Sequence, residues 1–210
     1  MFAVGQMALG YLIGRAFGKA TGRGPNIPIV LTFSVLPDID LLIPFLQHRG
    51  PTHSIIVELL AFAPLFILLG VRKAAPYLAA LASHPMIGDY LTGGIQLFWP
   101  VSHEWVSCEK TMMMGDAFET RVELALFAVL IITLLLTGDI KRLFKSEKTN
   151  LLFSIPISTI ILPVTSRYPV RVPSALIMAH LLLMIPMAIS FIIALTHAMV
   201  EMEGHNSDRG

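Results

Sequence analysis

The sequence predicts an all-α, polytopic integral membrane bundle with a metal site near one membrane interface. Three observations carry that expectation. Mean hydropathy is +0.73, and 55% of residues are hydrophobic. Only 14% are charged, against about 25% in ordinary soluble domains. Apolar runs recur at helical length, separated by Gly, Pro and short polar stretches. The 210 residues fit one membrane-embedded domain: a metal-site half over 1–119, hydrophobic helices over 120–200 and a polar tail over 201–210.

Phe2 to Phe17 reads as a helix, with small residues at Ala3, Gly5, Ala8, Gly10, Gly14 and Ala16 that allow close backbone packing. The start, MFAVGQMALGYLIG, lacks a basic n-region and a small-residue cleavage site, so no cleaved signal peptide is expected. Ile27 to Leu36 is too short to span: ten residues rising about 1.5 Å each do not cross roughly 30 Å of hydrocarbon. Ile55 to Val71 is marginally transmembrane, and alanine-rich Ala74 to Leu91 suits a helix buried among others. Thr92 to Glu119 is the longest polar connection; its Trp99 and Trp105 suit a headgroup interface. Val122 to Gly138 is the clearest span. Asp139 to Asn150 is a basic loop, Leu151 to Val164 a proline-broken apolar run, and Ser174 to Val200 a long final span before a frayed tail.

Polar chemistry concentrates in Leu36 to Ser54, LPDIDLLIPFLQHRGPTHS. Asp38, Asp40, His48, His53, Arg49, Thr52 and Ser54 crowd there between apolar segments. Carboxylate oxygens and imidazole nitrogens are ligands for divalent cations, and ionisable groups at membrane depth cost kilocalories unless paired, metal-bound or wet. A second half-site, Ser83-His84-Pro85-Met86-Ile87-Gly88-Asp89, spaces His84 and Asp89 by five. On a regular helix that separation diverges by about 140°, so both reach one ion only if the helix is irregular. Pro85 in a first helical turn would put His84 at the helix lip.

The motifs PDID, HRGPTHS and SH…GDYLT…FWP resemble the membrane-bound, metal-dependent hydrolases of the YdjM type, described as LexA-binding and inner-membrane. The pattern is also distantly similar to zinc-dependent phospholipase C and the P1-type nucleases. The resemblance covers Leu36 to Pro100 well and the C-terminal half only by hydrophobicity. It implies Asp38, Asp40, His48, His53, His84 and Asp89 as metal ligands. The chain departs from it at Gln6, where His is usual near the first helix, and in the spacing of five where four is usual.

Chemically, the inventory suits hydrolysis by metal-activated water at one or two divalent transition ions. Mixed His/Asp ligation without Cys favours Zn, with Mn or Fe as alternatives. Asp40 serves as ligand or general base, Arg49 as a fork for a phosphate, and His53 belongs to the catalytic set. Thr52 and Ser54 either orient ligands or, the better reading, cap the helix beginning near His53. The expected substrate is an amphiphilic, lipid-like phosphoester or ester, with membrane lipid as partner.

Other polar residues have plainer readings. Asp116 and Glu119 cap or precede the Val122 helix; His180 and His197 hydrogen-bond within the core; Met112 to Met114 make soft apolar contacts. Glu58 bonds a ligand His or pairs with a base. His103 and Glu104 extend the site or sit at the interface, and Cys108 and Glu109 rank below them. A net charge of +1 without a basic stripe gives no reason to expect nucleic acid.

If helices alternate, Arg15, Lys19, Arg23, Arg72, Lys73, Lys141, Arg142, Lys145 and Lys148 lie opposite the cluster, while Arg49, Lys110, Arg121, Arg167 and Arg171 share its side. The positive-inside rule then places a plasma- or inner-membrane protein with its site extracytoplasmic. The principal rival is an ion- or proton-coupled transporter, which would spread polar residues over related halves; a metal-stabilised binding or regulatory membrane protein is the third.

Overall fold

The computed structural model describes residues 1–43, 45–108, 112–145, 147–169 and 171–207, with side chains as far as Glu203. Glu109 and Lys110, weighed above, lie outside the described residues.

Helix α1 (Ala3–Ala20) is the hub, and its buried face includes Val4, Met7, Ala8 and Tyr11. Its glycines set how close the neighbours come. A Cβ on Gly10 would overlap Ser34, and one on Gly14 would press on the Pro76 carbonyl and Val30. One neighbour is α2 (Ile27–Phe33), started by the Asn26 side chain, which accepts the Ile29 N–H at 3.2 Å. Its seven residues give way to a 3-10 turn over Leu36–Leu42, so the Ile27 run is a partial element that stops inside the bundle.

Helix α3 (Ile55–Leu69) is capped by Ser54 and ends at Gly70, whose φ of +72° is open to glycine. Helix α4 (Val71–Ser83) runs antiparallel to α1 and does not stop at His84. It continues through a π-helical turn, His84–Asp89, into α5 (Tyr90–Thr92). Pro85 is therefore inside a continuing helix, not in a first turn. Lacking an N–H, it cannot donate to the preceding turn, and a widened π turn accommodates that gap.

Among the described residues, three segments are long and apolar enough to cross a membrane: Ala117–Thr137, Lys148–Ser166 and Ser174–Glu203. The first is α6 (Ala117–Thr137), which starts five residues before the expected Val122 because Asp116 accepts the Glu119 N–H at 2.6 Å. After short α7 (Ile140–Leu143), the second joins a 3-10 turn to α8 (Ser154–Ser166). The third is α9 (Ser174–Ser207), so the tail expected to fray is helical through Ser207. Large apolar side chains stand exposed along these helices, among them Leu135, Leu136, Met178 and Ile192. Such a surface belongs in lipid.

The bundle has two chemically distinct ends. At one, Gln6 of α1, His84 and Asp89 of the π turn and the N-terminus of α6 meet. At the other, Arg15 pairs with Asp139, and Tyr11 donates to the same carboxylate at 3.0 Å.

Candidate metal centre

The 3-10 turn after α2 carries Asp38 and Asp40 two residues apart, both buried. The next loop returns over them through Arg49, a non-glycine residue at φ +62°. That left-handed conformation is costly, and it turns the Arg49 N–H onto Asp40 Oδ2 at 3.2 Å. Thr52 Oγ1 donates to the same oxygen at 3.1 Å. Thr52 thus holds the Asp40 carboxylate, correcting the capping role expected of it, while Ser54 does cap α3. His48 Nδ1 lies 3.2 Å from Asp40 Oδ1.

The π turn resolves the spacing problem. An i→i+5 repeat brings residues five apart onto one face, and His84 Nε2 lies 3.2 Å from Asp89 Oδ2. His84 also lies 3.4 Å from Asp38 Oδ1. One atom each from Asp38, Asp40, His48 and His53 falls within 4.8 Å of the others, and so does one each from His53, His84 and Asp89. All six expected ligands are therefore gathered, with His53 shared by both groups.

The imidazoles are held in a defined sense. His84 Nδ1 is 2.7 Å from the Ser34 carbonyl, an acceptor only, so Nδ1 carries the proton. His53 Nδ1 is likewise 2.7 Å from Asp89 Oδ2. In a neutral ring each Nε2 is then a lone pair. Both Nε2 atoms are buried without a hydrogen-bond partner among the described residues. They face carboxylates: His53 Nε2 is 3.2 Å from Asp40 and 3.8 Å from Asp38.

Lone pairs aimed at carboxylate oxygens repel unless a cation lies between them, either a proton on the ring or a metal ion. Without metal the protons are retained. Burial pulls the His53 imidazole down, but Asp40 and Asp89 outweigh it and raise its pKa to about 9. Burial pushes the Asp40 carboxyl up, yet His48 and His53 hold it below the ordinary carboxylate range. The donor set, with buried Nε2 atoms convergent on three carboxylates and each Nδ1 tied back by an acceptor, fits a divalent cation.

Arg49 points inward rather than to solvent. Its guanidinium lies 3.2 Å from Asp89 Oδ1 and 3.0 Å from Thr92 Oγ1. Gln6, at the position where the resemblance has His, donates to Asp89 Oδ1 at 3.2 Å, and its amide occupies the space a Cβ on Gly88 would need.

Buried Glu119 and Glu123 acquire their contacts only in the fold. Glu123 accepts the Phe2 and Gly5 N–H groups at 2.7 and 3.2 Å, so a carboxylate from α6 caps α1. Their sequence signal was indirect: α1 begins without a capping side chain. Glu58 is buried in α3 with neither oxygen hydrogen-bonded among the described residues. His103 and Glu104 are exposed and belong to neither ligand group, and Cys108 is in neither as well. His180 donates from Nδ1 to the Leu176 carbonyl, as a core histidine would.

No curated protein and no solved structure matches the chain. The comparisons therefore lend no support to the distant likeness to phospholipase C and P1-type nucleases. The model of the YdjM inner membrane proteins matches residues 1–165, which include every residue of the cluster. With three apolar helices among the described residues able to cross a bilayer, this chain is a membrane protein belonging to the YdjM inner membrane protein family.

Proposed function

We propose that the protein is a membrane-embedded, metal-dependent hydrolase acting on a phosphoester or ester of an amphiphilic substrate, with its site on the extracytoplasmic side. One observation carries the reading: the His53 and His84 Nε2 atoms, buried and without a hydrogen bond among the described residues, converge within ion-pair distance on Asp38, Asp40 and Asp89. A divalent cation of the zinc, manganese or iron kind would supply a Lewis acid for the substrate oxygen and lower the pKa of water toward neutrality.

The chain's own groups have distinct parts in this reading. Asp40 is oriented by the Arg49 N–H and the Thr52 hydroxyl, which suits a ligand or a general base. Arg49 fixes Asp89, and its remaining N–H groups can meet a phosphoryl oxygen. The least buried ligand side chains are Asp38 at 10% and His48 at 14%, so substrate reaches the cluster past them. They border a crevice of about 10 Å³ with Leu41, Met114, Thr159, Pro163 and His180. Thr159 and Pro163 lie on α8 and His180 on α9, two lipid-facing helices, which favours an amphiphile arriving from the membrane. A crevice of this size holds about one water, so α8 and α9 must part for substrate.

That closure also favours a second reading, a binding or regulatory protein whose metal is structural. One experiment separates the two. Purified protein is analysed for bound metal and assayed on phospholipid and on a soluble phosphodiester, beside His53→Ala. We expect metal and lipid hydrolysis in the native protein, and a loss of both by more than about 100-fold in the variant. Metal bound without hydrolysis of either substrate supports the regulatory reading; no metal bound overturns both.

A further inference from the structure

We infer that the end of the bundle opposite the cluster holds a second site, which binds a phosphate-bearing anion. A cavity of about 550 Å³ lies there, where α1 and α6 end and α7 begins. Its size is that of a small-molecule site. Among the described residues, Arg15, Lys19, Arg23 and Arg142 line it, against a single carboxylate, Asp139.

The charge balance decides what such a cavity can hold. Asp139 is buried and already engaged: Arg15 pairs with it, Tyr11 donates to it, and Arg142 Nε lies 3.5 Å away. The C-terminal ends of α1 and α6 add about half a negative charge each. Four cations against these still leave a surplus of about two positive charges, in a recess rather than spread over a surface. A phosphoryl group is the common anion of that charge, and guanidinium forks match its oxygens.

Two glycines form part of the rim. Gly22 turns the chain after α1 at φ +73°, and a side chain on Gly24 would come into contact with the Arg142 guanidinium. The other wall is made by Leu12, Ala16, Thr133 and Thr137 on α1 and α6. Both threonine hydroxyls are spent on carbonyls of their own helix, at 2.7 Å. That wall is therefore apolar and suits the glycerol and upper acyl carbons of a phospholipid. Topology alone accounts for basic residues at this end, but it does not require them to converge on one cavity.

The test uses the full chain in detergent, with bound lipid counted by native mass spectrometry. Phosphatidylglycerol, phosphatidylcholine and inorganic phosphate are the probes. The double variant Lys19→Gln/Arg23→Gln removes two exposed cations of the cavity; Arg121→Gln/Arg167→Gln removes two exposed cations from the other end as a charge-matched control. We expect one saturable phosphatidylglycerol, favoured over phosphatidylcholine, with affinity falling about fivefold per cavity cation removed and unchanged in the control. If inorganic phosphate displaces the lipid at millimolar concentration, the phosphoryl group alone is recognised; if it does not, the ligand is the lipid. Equal binding of both lipids with no phosphate bound, or an equal loss in the control pair, overturns the site and leaves these residues as topological anchors.

Discussion

The two halves of the chain use the helix in opposite ways. From Ala117 onward, α6, α9 and the segment that joins the 3-10 turn to α8 are long, apolar and mostly regular, and turn large side chains such as Leu136 and Ile192 outward. In the first half the segments are short and irregular where they matter most. Asp38 and Asp40 sit on a 3-10 turn, His53 ends another, and His84 and Asp89 bound a π turn. A regular helix satisfies its own backbone, which is what lipid demands. It also fixes every side chain at 100° from the last, which suits a stripe but not a convergent ligand shell. The irregular half redirects side chains inward, and the regular half excludes the bilayer around it. The clustered carboxylates and imidazoles thus owe their geometry to broken helices and their burial to intact ones.

The largest way to test that contrast is pH. The raised His53 pKa means the metal-free cluster holds a proton there at neutrality. A histidine raised from its ordinary 6.5 to about 9 stabilises the fold fully below pH 6.5 and loses that contribution as pH rises through 9. Metal-stripped protein should therefore lose stability between pH 6.5 and 9, by on the order of 3 kcal/mol. Metal affinity should move the other way, rising about tenfold per pH unit for each proton displaced. Thermal melts with and without zinc, and zinc titration across this range, read both slopes. A flat metal-free stability curve would mean that the cluster does not hold that proton.

A smaller effect joins packing to the site. Gly10 lets α1 approach Ser34, and the Ser34 carbonyl fixes the His84 ring. Gly10→Ala should push Ser34 away, destabilising the fold by about 1–3 kcal/mol and lowering metal affinity about tenfold through the misaligned imidazole. Equal destabilisation with unchanged affinity would show that the Ser34 contact does not orient His84.

The fold class was legible because composition alone decides it: so few charges and so many apolar runs leave little besides a membrane bundle. The clustering of these polar groups was legible because LPDID and HRGPTHS place ionisable residues where hydrocarbon would otherwise lie. The spacing of His84 and Asp89 was legible as a conflict with α-helical geometry, and the π turn is its answer. What stayed hidden depends on contacts across the chain. Nothing local marks the Ser34 carbonyl as the partner of His84, fifty residues on, or Glu123 as the cap of α1. Thr52 reads as a cap because hydroxyls before helices usually are, and only the fold of the Arg49 loop brings it to Asp40. Polarity near the end of α9 reads as fraying, whereas the helix persists and Lys148 pairs with Glu201 at 2.8 Å.

The smallest expected effect is the most informative about the broken half. Removing one residue from a π turn restores a regular helix without changing the register on either side. Met86 is the choice, being 53% exposed and outside both ligand groups. Its deletion leaves His84 and Asp89 four apart, which on a regular helix is about 40° and the same face. The shortened protein should keep zinc affinity within about threefold of native, the π turn and a regular turn being alternative ways to aim the same two side chains. Inserting an alanine after Met86 instead sets them six apart, and should remove binding. If the deletion abolished binding while circular dichroism showed an intact helix content, the widened turn itself would be required. The reason would then lie in its neighbours, Gln6 against Gly88 and Thr92 against the Gly88 carbonyl, whose positions a narrower turn would change.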